Sequence, residues 1–134
     1  MRATEFITES LMGRNKNKIY NLLLAAADSG PFDGGCVIMA RAIQIKHGGD
    51  IVVLVGHSQR NTDEAAQHAV VDLGNLLVDA DGPLAPKQFV QRFEKNELTH
   101  AGGKITGIRP IHPNDLPNAP RNEQASAQIA KLLQ

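Results

Sequence analysis

Apolar positions recur at helical spacing through the first quarter of the chain, at Phe6, Ile7, Leu11 and Met12 and again at Ile19, Leu22, Leu23 and Ala26. That period predicts helix over residues 4–28, capped by Thr4 or Thr8 and bent where Gly13 meets an Asn/Lys run. Asp28-Ser29-Gly30-Pro31 stops the helix and opens a loop. Gly34-Gly35 then lead into a second helical pattern, Cys36 to Lys46. Val37, Ala40 and Ile43, with Ile38, Ala42 and Ile45, supply its buried side. His47-Gly48-Gly49 close it with a basic group and C-cap glycines. Ile51-Val52-Val53-Leu54-Val55 is an unbroken, largely β-branched run, the pattern of a strand buried on both faces.

Past a polar connection at 57–66 the period changes to two. Ala69 to Leu73 and Leu76 to Ala80 flank Gly74-Asn75, a two-residue turn of the primed type. Pairing Leu73 with Leu76 sets His68 opposite Asp81 and Val70 opposite Asp79. Alternation then gives one apolar face, Ala69, Val71, Leu73, Leu76, Val78 and Ala80. The other face carries His68, Val70, Asp72, Leu77, Asp79 and Asp81. A slip of one residue would bury that polar set. Gly82-Pro83 ends the strand. Residues 86–96 read as a short amphipathic helix with Phe89, Val90 and Phe93 inward and Pro86 in its first turn. Ile105 to Ile111 form a further strand. A proline-rich loop at 112–121 precedes a final helix over 122–133.

The pattern describes one α+β domain over residues 1–134. A Cys-bearing helix packs on a small antiparallel sheet, with N- and C-terminal helices beside it. The core lies at about 30–111, and 112–134 form a loop and a peripheral helix. A chain of 134 residues buries roughly two-thirds of its unfolded surface. Four Phe, one Tyr and no Trp leave Ala, Val, Leu and Ile to build the core. Fourteen basic residues balance fourteen acidic ones, so no net charge draws the chain to nucleic acid or to an anionic membrane. Arg14, Lys16 and Lys18 form a short basic cluster, read as a solvated helix end. One cysteine makes no internal disulfide. No apolar stretch approaches the ~20 residues of a membrane span, and no signal-peptide pattern is present. These features point to a cytoplasmic protein, in the producing cell or in one into which it is delivered.

The chemistry-bearing residues fall in a telling order. A thiol at a helix N-terminus meets the positive end of the dipole and unpaired backbone N–H groups, which favour thiolate and can later hold an oxyanion. A histidine in reach pairs with the thiolate and protonates a leaving group. A carboxylate on the neighbouring strand fixes the imidazole. Cys36, His68 and either Asp79 or Asp81 supply these three parts. Asp81 is the direct cross-strand neighbour of His68 and Asp79 the diagonal one, at roughly 5 and 7–8 Å in sheets, so spacing leaves both open. Asp79 is the stronger candidate, because it sits inside the strand whereas Asp81 precedes Gly82-Pro83. Gly34 and Gly35, without side chains, admit a substrate backbone, and Gln67 and Ser58 line the cleft. His47, His57, His100 and His112 lack the paired spacing of a zinc site, and Asp-Ala-Asp-Gly lacks the ligand pattern of a calcium loop. Gly48-Gly49 precede a strand instead of following one, which excludes a dinucleotide loop. No metal and no cofactor is expected.

Gly-Gly-Cys-Val-Ile-Met-Ala-Arg-Ala followed by His-Ala-Val-Val-Asp-Leu-Gly-Asn-Leu-Leu-Val-Asp-Ala-Asp-Gly resembles the small bacterial and phage proteins of the papain-like superfamily. These are akin to transglutaminase-like, NlpC-type and arylamine N-acetyltransferase cores. The resemblance covers about residues 30–95 and implies a papain-like core with Cys36 as nucleophile, His68 as base and Asp79 as third member. It implies a cysteine hydrolase or acyl transferase acting on an amide, as a peptidase, deamidase or transglutaminase-like enzyme, with a peptide or protein substrate. Two family features are missing. Phe32 and Asp33 stand where an oxyanion-hole glutamine is found upstream of the cysteine, and no tryptophan follows it. The alternative is a catalytically silent papain-like binding or inhibitor protein, possibly phage-encoded.

Overall fold

The computed structural model describes residues 11–57, 63–99 and 102–134. The expected helix around Phe6 and Ile7, with its caps, and Ser58 and His100 lie outside the described residues. After a 3-10 turn at Gly13–Asn15, α1 spans Lys16–Ala27 and α2 Cys36–His47. The strands are β1 Asp50–His57, β2 Ala65–Asp72, β3 Leu77–Asp79, β4 Gly82–Leu84 and β5 Lys104–Pro110. Helix α3, Pro86–Phe93, continues as a π-helical turn over Glu94–Leu98, and α4 spans Glu123–Leu132. The strands form one antiparallel sheet in the order β4-β3-β2-β1-β5. This is an α+β architecture. Among the described residues no helix is long and apolar enough to cross a membrane.

Helix α1 ends where expected, at Asp28, whose left-handed φ of 52° stops it. Helix α2 begins at Cys36 with Gly35 as N-cap and ends at Gly48. The hairpin keeps the expected register. Val71 pairs with Val78, Asp72 with Leu77, and the Leu73 N–H donates to Leu76 O at 2.9 Å. Gly74 takes the turn's positive φ of 99°, a conformation in which a side chain would be strained.

Alternation along the strands splits the interior into two apolar clusters, one per sheet face. Val53, Ala69, Val71, Val78 and Ala80 pack with Ile19, Leu23, Ile38, Ile43 and Ile129 from α1, α2 and α4. On the opposite face Val52, Leu54, Val70 and Leu77 pack with Phe89, Phe93 and Leu98. Strand β1 is therefore buried on both faces. Fully burying one such side chain contributes roughly 1.5–3 kcal/mol, so both layers matter to stability.

Four expectations need correction. Ile45 is exposed on α2 and Met39 is buried in its place. The C-terminal helix is not peripheral: Ile129 is fully buried and the Ser126 hydroxyl donates to Ile38 O at 2.9 Å. The buried cluster thus extends beyond 30–111 at both ends, from Leu11 to Leu133. Gly82-Pro83 does not end the sheet but begins β4, which folds back on β3 with Asp79 opposite Gly82 and Val78 opposite Pro83. Proline is tolerated there because β4 is an edge strand.

Gly35 shows why two glycines stand before Cys36. A Cβ on it would lie 2.7 Å from the Gly30 carbonyl oxygen, and one on Gly34 would lie 2.9 Å from Ser29 Oγ. Gly35→Ala is expected to lose about 1–3 kcal/mol through overpacking, seen as a lower urea midpoint at unchanged slope. An unchanged midpoint would show that the 30–35 loop yields at no cost.

Candidate active site

Three segments build the site. The loop before α2 is tightly wound, with Gly35 N–H donating to Gly30 O at 3.0 Å and Cys36 N–H to Asp33 O at 3.4 Å. It delivers Cys36 as the first residue of α2, 3% exposed. The Cys36 amide is thereby committed to Asp33, while those of Val37 and Ile38 have no intrahelical partner by helix geometry.

Strand β2 delivers His68, which is 1% exposed. Leu54 of β1 pairs with His68 but Val55 with Ala66, so Gln67 is an extra residue, a β-bulge directly beside the histidine. Bulges bend a strand and re-aim its neighbours. The Gln67 side-chain amide donates to Gly56 O and Ala65 O, both at 3.2 Å, and so braces the bulge. Strand pairing between β2 and β3 stops at Val71–Val78, which leaves the β2 edge near His68 without a flanking strand.

The third segment follows β3. His68 Nε2 lies 3.1 Å from Asp79 Oδ2, and Asp79 Oδ1 accepts the Asp81 N–H at 2.9 Å. The direct His68–Asp81 opposition does not form, because the chain turns at Ala80 and Asp81. Of the two carboxylates, Asp79 is the one on the imidazole.

The second imidazole nitrogen, Nδ1, is buried and has no hydrogen-bond partner among the described residues. Burial by itself would lower the His68 pKa, but the hydrogen bond to Asp79, the approach of the Cys36 side chain and the charges of both together lift it to about 9. Partial burial, and then the charge of Asp79, holds the Asp81 carboxyl above the usual carboxylate range.

Three further participants were not identified from sequence. Arg92 Nη2 lies 3.3 Å from Asp79 Oδ1 and donates to Gly82 O at 2.7 Å, while its guanidinium sits 4.9 Å from the Phe89 ring centre. Phe32 and Phe93 stack on His68 at centroid distances of 5.3 and 4.9 Å, with interplanar angles of 18° and 14°. Arg92 and Phe93 belong to the helix whose apolar period was read correctly. That period records burial only and carries no sign of which element a side chain meets.

A cavity of about 380 Å³ lies along the loop before α2, with Ser29, Asp33, Gly34 and Ala66 among its lining residues. Gly34 and Ala66 are two residues from Cys36 and His68. Gly35 is buried against Gly30. Among the described residues no group of three or more His, Cys, Asp or Glu is placed to hold a metal ion. No family model, no curated protein and no solved structure matches this chain.

Proposed function

We propose that this chain is a cysteine-dependent hydrolase or acyl transferase of papain-like type, acting on an amide carbonyl of a peptide or protein. The observation that carries this reading is the state of the His68 ring: Nε2 is bonded to Asp79, Nδ1 is buried without a partner among the described residues, and the side chain of a helix-initial cysteine interacts with the ring. In the proposed cycle the Cys36 thiolate attacks the carbonyl carbon and forms a C–S bond. The imidazolium then gives its Nδ1 proton to the departing amine as the C–N bond breaks. Water or a second amine attacks the thioester, passes its proton to His68, and the product leaves as the thiolate returns. Asp79 holds the Nε2 proton throughout, which keeps the ring in one orientation. A protein with one cysteine suits a reducing compartment, and we place it in the cytoplasm of its own or a target cell.

The second reading, a catalytically silent binding or inhibitor module, is favoured by the depth of the pair, with Cys36 and His68 at 3% and 1% exposure. Intact-mass labelling with iodoacetamide between pH 5 and 9 separates the two. For the enzyme, native wild type labels at a rate nearly level with pH, and His68→Ala labels at least about tenfold more slowly at pH 6, approaching an ordinary thiol with pKa about 8.5. Wild type that labels only after unfolding, or that tracks His68→Ala at every pH, would overturn the enzyme reading in favour of the silent module.

A further inference from the structure

We propose that a second cavity, bounded by α2, the start of β1, the loop after β5 and the start of α4, binds a small carboxylate with an apolar body. It holds about 280 Å³, near the lower end of the roughly 300–1,000 Å³ seen for ligand pockets. Its walls are Val37, Ile38, Ile51, Ile111 and Pro113. The buried polar group among its lining residues, the Ser126 hydroxyl, is already satisfied by Ile38 O. Walls of this composition favour an apolar occupant.

The rim has the opposite character. Arg41 and Arg121 stand there with His112, against one carboxylate, Glu123. Arg41 Nε pairs with Glu123 Oε1 at 2.7 Å. Among the described residues Arg121 donates to the backbone carbonyls of Asp115, Leu116 and Ala119 and pairs with no carboxylate. Asp115, in the same loop, has both oxygens taken by Arg109 at 2.6 and 2.9 Å. The Arg121 charge is therefore held by dipoles and not neutralised by a carboxylate. Asn122 caps α4 by accepting the Ala125 N–H at 3.0 Å, which leaves the amide of Glu123 at the same rim without an intrahelical partner. An anionic head at this rim meets a surplus of positive charge, and its apolar body meets apolar walls. This inference does not depend on Cys36 being a nucleophile.

Titration with phenylacetate, followed by amide chemical shifts, tests it. Saturable shifts are expected at Val37, Ile38, Ile111 and 122–126, with affinity lowered at least about tenfold for neutral phenylacetamide and for Arg41→Gln, by loss of the charge-assisted contact. Ile111→Trp, which fills the cavity from its half-exposed wall, is expected to abolish binding while leaving the remaining spectrum folded. Equal affinity for phenylacetate and phenylacetamide would overturn the anionic half of the proposal. Equal saturation by inorganic phosphate, or shifts that ignore Ile111→Trp, would overturn the apolar half. No saturable shift would overturn the whole.

Discussion

Asp79→Ala is expected to lose about 3–5 kcal/mol of folding stability, the cost of breaking a buried charge pair by removing one partner. The carboxylate is 6% exposed and serves three donors: His68 Nε2, the Asp81 amide and Arg92. Alanine leaves the first of these buried with no acceptor and releases the turn that starts β4. Asp79→Asn keeps an oxygen for the Asp81 amide, so its loss is expected to be smaller. Urea unfolding of the two variants measures both effects. A loss below about 1 kcal/mol for alanine, the scale of an exposed pair, would show that water reaches these donors and that Asp79 is not the hub of the site.

The second large effect follows pH. His68 titrates at about 9 in the folded chain, against 6.5 for the free side chain. Between those values the folded state keeps a proton that the unfolded state has released. Stability from this group is therefore complete below pH 6.5 and is lost as pH rises through about 9. The interval corresponds to a loss on the order of 3 kcal/mol at 1.36 kcal/mol per unit. Denaturation of wild type and His68→Gln at intervals from pH 6 to 10 isolates this contribution, because the other groups titrating there are common to both. The wild-type advantage is expected to shrink steadily across that window. Parallel curves would mean that His68 is neutral in the folded protein near pH 7, and the ion-pair chemistry proposed for Cys36 would fall with it.

What the sequence made legible was local. Gly35 before Cys36 marked a helix start because a tight loop and a helix cap both leave signatures within a few residues. Gly74-Asn75 fixed the hairpin, and the hairpin's register brought His68 and Asp79 to one face without any knowledge of the rest of the chain. What was not legible depends on partners distant in sequence. The Gln67 bulge arises from mismatch between β2 and β1. Strand β4 exists because Asp79 and Gly82 pair across a two-residue turn, where Gly-Pro alone reads as a stop. Arg92 reaches Asp79 from thirteen residues away, across an element boundary that periodicity cannot see. The same is true of α4, whose apolar residues matched a helix but gave no sign that Ser126 would bond to α2.

The stacking of Phe32, His68 and Phe93 has a consequence for motion. An imidazole exchanges the places of its two nitrogens by turning half a revolution about the Cβ–Cγ bond, and the turning ring sweeps the space above and below its own plane. Here two phenyl groups lie nearly parallel to the ring, with centroids 5.3 and 4.9 Å away, in an interior packed at the density of a crystal. Rotation must wait until a neighbour swings aside, and Phe93 is joined directly to the π-helical turn, a form of helix that is rare outside single turns at such places. The assignment of Nε2 to the Asp79 carboxylate is thus held as a mechanical constraint as well as by hydrogen bonding. In the cycle proposed above it would persist while the Nδ1 proton is away from the ring.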